Sequence, residues 1–372
     1  MVPSLEARYP WTTSPLIVCA PMRLIAMAPL AVAVSAAGGF GFIGAADKLS
    51  EVDSYLEQAA RLIKENPDQG HAGLQSYYEK TGVLPVGFGL FSWAAAEELE
   101  KAVAAVAKWK PAAVWLFGAH RNSDYAVWTE KIRRAGGGRT AVWVQVGSVR
   151  DALEVGTARG EARPDVLVVQ GTDAGGHGLE TGAGIVSLVP EVADALEAEG
   201  LKGDINLIAA GGIVDGRGAA AALMLGADGV CLGTRFLASE EASVAEGYRR
   251  EVVRASDGGL NTARTKVYDQ LRGITLWPKG YNARGVLNQS FHDHNGGMTL
   301  EENKKLYDEA MEKEGDGGWG VGGRITTYAG TGVGLVRSVM KGGDIVREVQ
   351  QQTLRRLKAV ARIPSYNVPS SR

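Results

Sequence analysis

Eight short apolar runs, each followed by a helix-like stretch, constrain this chain more than any other feature. The runs cover 16–21, 40–44, 84–90, 112–118, 140–147, 165–171, 205–212 and 229–236. Helical patterns lie between them, for example at 47–65, 93–108, 124–134, 187–198 and 216–225, and a buried helix is read over 24–37. Continuous apolar strands separated by helices indicate a parallel sheet covered on its outer face. Eight such units predict an α/β fold, a closed (β/α)8 TIM barrel. An open doubly wound sheet stays as the alternative topology.

After the eighth run the pattern changes. The expected division is a barrel over 1–239, a mostly helical insertion over 240–325 packed across the barrel mouth, and a C-terminal segment, 326–372, that completes the barrel domain. The insertion is more polar and carries Trp277-Pro278, His292-Asp293-His294 and GDGGWGVGG at 315–323.

Charge and composition exclude several classes of function. The formal net charge is −2, so nothing draws the chain to nucleic acid or to an anionic membrane. No apolar stretch reaches the roughly 18 residues of a membrane span, and MVPSLEARYP lacks a basic-then-apolar leader pattern. Cys19 and Cys231 lie in separate apolar runs and read as buried, reduced thiols. A cytoplasmic enzyme is expected.

In this fold the chemistry sits at the C-terminal ends of the strands, and phosphates are commonly held after strands seven and eight. Strand seven ends in IAAGGIVDGRG, 208–218, where Gly211 and Gly212 expose amides and a helix begins near Asp215. Strand eight ends in GVCLGTRF, 229–236, where Gly233 and Thr234 add amides and a hydroxyl. Together they predict a phosphate site. The sixth strand breaks into VVQGTDAGGHG, 168–178, which places His177 between glycines at the barrel mouth. Histidine changes charge near neutral pH, so His177 is the expected catalytic or substrate-orienting residue. Asp173 either orients its ring or caps the loop. Met22 is either core packing or a contact for a flat ring, and Gln170 either meets a heterocycle or satisfies buried backbone. His120 is a second mouth candidate. His292 and His294 have ligand-like spacing but no third ligand, so no metal is expected. His71 reads as a solvated loop residue.

These motifs together carry a resemblance. Ala20-Pro21-Met22, GGFGFIGAA at 38–46, QGTDAGGHG at 170–178, AAGGI at 209–213, GADGVCLGTRF at 226–236 and YAGTGVG at 328–334 resemble nitronate monooxygenases, formerly 2-nitropropane dioxygenases. Flavin-dependent enoyl-acyl-carrier-protein reductases share much of the pattern. The resemblance implies an FMN enzyme. The FMN phosphate would sit at Gly211, Gly212, Gly233 and Thr234, and the ring would lie against Pro21 and Met22. Gln170, Ala174, Gly175, Gly330 and Thr331 complete the implied cofactor set, and His177 matches the active-site histidine. It further implies oxidation of alkyl nitronates by dioxygen to a carbonyl compound and nitrite, with propionate 3-nitronate as a substrate by family analogy. Two positions depart from many members: Gly87-Phe88-Gly89 replaces a segment with asparagine, and Thr331 stands where glutamine is common. An NAD(P)H-dependent reductase of quinones or enoyl thioesters is the alternative on the same barrel. A phosphosugar-binding barrel without flavin is a third reading.

Overall fold

Alternation along each apolar run decides which side chains face inward, and the sheet that results closes on itself. The computed structural model describes residues 4–65, 71–201 and 203–361. The strands are β1 (Leu16–Cys19), β2 (Phe40–Ala46), β3 (Leu84–Phe91), β4 (Pro111–Phe117), β5 (Ala141–Val146), β6 (Val166–Gln170), β7 (Gly176–Leu179), β8 (Asn206–Ala210), β9 (Gly229–Leu232), β10 (Thr262–Thr265) and β11 (Tyr281–Val286). Eight of them form a closed parallel barrel in the order β1-β2-β3-β4-β5-β6-β8-β9. The seam pairs Leu16 with Gly229 and Cys19 with Leu232. These eight are the eight expected runs.

The period of two sorts the core into two layers. Ile17, Val114, Val144, Leu167 and Val230 face outward into the packing between strands and helices. Leu16, Phe42, Trp115, Trp143, Val168 and Cys231 face inward and fill the barrel. Near the strand starts this filling is aromatic. Phe40 and Phe42 lie 4.7 Å apart, and Trp143 sits 4.9 Å from Phe42. Tyr9, just after the first helix, closes that end, and its hydroxyl accepts a 2.9 Å hydrogen bond from Trp143 Nε1. Trp143→Ala should therefore cost about 3–5 kcal/mol of stability, seen as a lowered denaturant midpoint. An unchanged midpoint would refute this account of the barrel floor.

Several boundaries differ from the sequence reading. The eighth run stops at Leu232, and Thr234–Leu237 turns into a short helix. The helix read over 24–37 starts at Ala28, with Pro29 in its first turn, where a missing N–H costs nothing. The segment 240–325 does carry helices, among them Glu246–Arg254 and Leu300–Lys313. It also carries β10 and β11, which sequence periodicity did not reveal. These two pair antiparallel, and β11 then pairs with β7, setting Ala283 opposite His177. The last helix, Gly342–Ala361, lies against helices Ala28–Ala36 and Gly216–Met224. Its Gln350 side chain donates to the carbonyls of Thr13 and Pro15, tying it to the chain just before β1. Residues 362–372 of the C-terminal segment lie outside the described residues. His71, read as solvated, is buried, with Nδ1 3.4 Å from the Leu62 carbonyl. Among the described residues no helix is long and apolar enough to cross a membrane.

Candidate active site

Barrel strands are committed to packing, so polar groups collect in the loops after their C-terminal ends. Here those loops and the 240–325 segment enclose one cavity of about 650 Å³.

One end of the cavity is a cradle of backbone amides. Gly211 and Gly212 follow β8 with φ of +107° and +75°, conformations that side chains rarely adopt. A Cβ on Gly212 would stand 3.1 Å from that of Asp173. Gly233 and Thr234 follow β9, the strand paired with β8. The amides of Gly212, Gly233 and Thr234 find no acceptor among the described residues. Gly212 is exposed and Gly233 and Thr234 are part-buried, so these amides open onto the cavity, and three unpaired ones together suit an anion. The helix Gly216–Met224 adds less than its position suggests. Its Gly216 amide donates to Gln352 and its Arg217 amide to the Asp215 cap. The expectation that this helix start offers its amides to an anion is thus corrected for Gly216 and Arg217, whose amides are already paired.

The loop between β6 and β7 is held from behind by two arginines. Arg264 donates from Nε to the Thr172 carbonyl at 3.2 Å and from Nη2 to that of Ala174 at 3.3 Å, and Arg284 donates to the Thr172 carbonyl at 3.1 Å. Burial first, then the Arg284 charge, pulls the Arg264 guanidinium down to about 10. Gly175 is pressed against the last segment of the fold, where a Cβ would meet Ala329 and Gly330 atoms at 2.4 Å.

The middle of the cavity is largely apolar. Pro21 and Met22 line it after β1, with Phe91, Trp115 and Phe117 from neighbouring strands. Two amide side chains interrupt this surface. Gln170 donates from Nε2 to the His177 carbonyl at 3.2 Å. Gln145 accepts from Trp115 Nε1 at 3.1 Å, and its own Nε2 has no acceptor among the described residues. A flat heterocycle with carbonyl and imide edges fits such a wall.

His177, in β7, lines the same cavity. Its Nε2 lies 2.9 and 3.0 Å from the two oxygens of Asp269. The ring is stacked on Trp277, with centroids 4.0 Å apart and planes within 13°. The Tyr328 hydroxyl donates to Asp269 at 2.7 Å. Burial, and then the Asp269 charge, pushes the Tyr328 phenol well above its ordinary range, so it stays a donor.

The structure thus brings Pro21, Met22, Gln170, Ala174, Gly175, His177, Gly211, Gly212, Gly233 and Thr234 onto one cavity wall. Gly330 and Thr331 stand behind it. The Gly330 amide donates to Thr234 Oγ1, and Thr331 donates to Asp173 Oδ1. Asp173 is therefore a loop brace, and the carboxylate at His177 is Asp269. His120 is exposed and off the cavity wall. Asp293 pairs with Arg324 rather than joining its flanking histidines at a metal. Both cysteines are buried, and burial pushes their thiols up. Sequence reasoning missed Gln145, whose signal was a lone polar side chain inside the apolar run AVWVQV. It also missed Asp269 and Tyr328, which no local pattern connects to His177.

Comparison with known proteins gives this geometry a context. The family profile described as nitronate monooxygenase matches residues 9–313. The chain is 49% identical to nitronate monooxygenase npaC of Metarhizium robertsii, over 94% of each protein. It is 37% identical to a nitronate monooxygenase of Neurospora crassa, over 96% of this chain and 93% of that one. Among solved structures, FabK from Thermotoga maritima superposes with a TM-score of 0.70 at 24% identity, covering 97% of this chain and 99% of that one. A nitroalkane oxidase from Streptomyces ansochromogenes gives 0.69 at 22% identity, over 93% and 98%. At these identities the two structures establish the shared barrel alone.

Proposed function

Since the chain belongs to the nitronate monooxygenase family and is an oxidoreductase, we propose that it oxidises alkyl nitronates with FMN and dioxygen, giving a carbonyl compound and nitrite. The observation that carries this reading is the pairing, within one cavity, of an unpaired amide cradle with a carboxylate-held histidine. The family implies a flavin, and the amide cradle supports FMN as that flavin. The cradle of Gly212, Gly233 and Thr234 suits a terminal phosphate, and the apolar wall with Gln145 and Gln170 suits the ring. Bound there, the flavin would take electrons from the nitronate and pass them to oxygen.

The chain's own residues do the rest. His177, when protonated, holds the anionic nitronate; when neutral, it can take the α-proton of a nitroalkane. Trp277, Phe91 and Phe117 keep bulk water from the reacting carbon. Propionate 3-nitronate belongs to the substrate class proposed. The 1–239 barrel would carry the flavin and the 240–325 segment would cover the mouth. Two free, buried thiols fit a reducing cytoplasm.

Oxygen uptake, nitrite release and flavin spectra, recorded on the purified protein with nitronates, NADPH and quinones, test the reading. Nitronates are expected to drive oxygen uptake and nitrite release, and anaerobic NADPH is expected to leave the flavin oxidised. Rapid bleaching by NADPH without nitrite from nitronates would establish the reductase instead. A colourless protein that takes up no FMN would remove the flavin altogether.

A further inference from the structure

We propose that Asp269 and Tyr328 are positioning residues that fix the tautomer of His177, leaving its Nδ1 lone pair open to the cavity. The proposal rests on the nitronate-oxidising reading and extends it to where the proton sits.

The geometry allows one assignment. Asp269 is nearly buried, and both its oxygens stand within hydrogen-bond distance of His177 Nε2. An ionised carboxylate only accepts, so Nε2 carries the hydrogen. Tyr328 stays protonated because it is buried beside a negative charge. It therefore donates to Oδ1 and holds the carboxylate in place. His177 Nδ1 has no partner among the described residues. It is not sealed off by the protein, so it keeps access to the cavity that the ring lines. The backbone is pinned as well, by the β7–β11 pairing and by Gln170 on the His177 carbonyl. Trp277 lies flat against the ring and restrains its rotation.

A neutral nitroalkane needs that lone pair. Its Cα–H bond breaks, the proton goes to Nδ1, the C–H electron pair forms the C=N bond, and the N=O π pair moves onto a nitro oxygen. The products are a nitronate and an imidazolium facing Asp269. A preformed nitronate skips this step. Asp269→Asn substitutes an amide whose N–H can donate to Nε2, which moves the ring hydrogen to Nδ1. A ring in that state cannot take a proton at Nδ1 but can still donate to an anion.

The test uses the holoenzyme with nitroethane and with ethyl nitronate. In Asp269→Asn, kcat/KM for nitroethane is expected to fall on the order of 10³-fold. That for ethyl nitronate should fall less than about tenfold, with flavin content retained. Tyr328→Phe should shift the same ratio in the same direction by a smaller amount. Nitrogen-15 NMR of labelled histidine, assigned with a His177→Gln variant, should show the Nε2–H tautomer in the wild type and Nδ1–H in Asp269→Asn. Equal losses on both substrates, or no loss on nitroethane, would overturn the proposal. If the wild type oxidises neither substrate, the nitronate reading fails while the NMR tautomers still decide the positioning role. The Nδ1–H form in the wild type would sink it.

Discussion

His177→Ala is expected to lower turnover of nitronates about 100- to 1000-fold while FMN stays bound. The size follows from removing a preorganised charged or hydrogen-bonding group from an apolar site, where such a group acts in a low dielectric. Flavin retention follows from which elements build the cradle. The amide cradle is built from the loops after β8 and β9, and none of its hydrogen bonds involves β7. Some stability should be lost too. The variant leaves nearly buried Asp269 with Tyr328 but without its imidazole partner, a cost of about 1–3 kcal/mol. Steady-state kinetics, the flavin-to-protein absorbance ratio and a thermal midpoint separate these effects. Wild-type turnover by this variant would end the assignment of His177 to the chemistry. Loss of flavin in step with activity would make it a cofactor-binding residue instead.

Gly212→Val should do the reverse: the fold survives and FMN is lost. The position has φ of +75°, which a β-branched residue enters only at a cost of about 1–2 kcal/mol. The added Cβ would also stand 3.1 Å from Asp173, tight enough to push the β6–β7 loop against its bracing arginines. Either relaxation displaces the Gly212 amide from the cradle, and the valine methyls crowd the space an anion needs. Affinity for FMN is expected to weaken at least about 100-fold, equivalent to about 2.7 kcal/mol. Titration of the apoprotein with FMN, followed by quenching of flavin fluorescence, measures this. Gly212→Ala should fall between the two. A Gly212→Val protein that purifies with full FMN would show that the phosphate lies elsewhere.

The barrel was legible because its strands are buried on both faces and therefore read as near-continuous apolar runs. The glycines of the cavity wall were legible for a related reason: Gly211-Gly212 after strand seven and Gly233-Thr234 after strand eight stand where barrels commonly hold anions. The small sheet was not. β7 is GHGL and β10 is TART, four residues each and only part-buried, so neither shows a run or an alternation to read. The histidine's environment was hidden by chain distance. Asp173, four positions from His177, was the natural local partner. The actual one, Asp269, is 92 positions away and arrives through the β11–β7 pairing. Gly330 and Thr331 were placed at the right end of the barrel but one layer too near the cavity. They brace Thr234 and Asp173 and do not line the wall.

The sheet of β10, β11 and β7 has a consequence for how such an enzyme can diversify. The anion cradle is made by loops of the barrel itself, whereas the histidine sits on a strand whose hydrogen-bonded neighbour, aromatic stacking partner and carboxylate all come from the segment after the eighth strand. Mutations around Asp269, Trp277 and Ala283 can therefore drift toward new substrates, or change whether a proton must first be removed, while leaving in place the loops proposed to hold the cofactor phosphate. One barrel can keep its redox partner fixed across descendants while the chemistry opposite it is rewritten in a stretch of chain that the barrel's closure does not use.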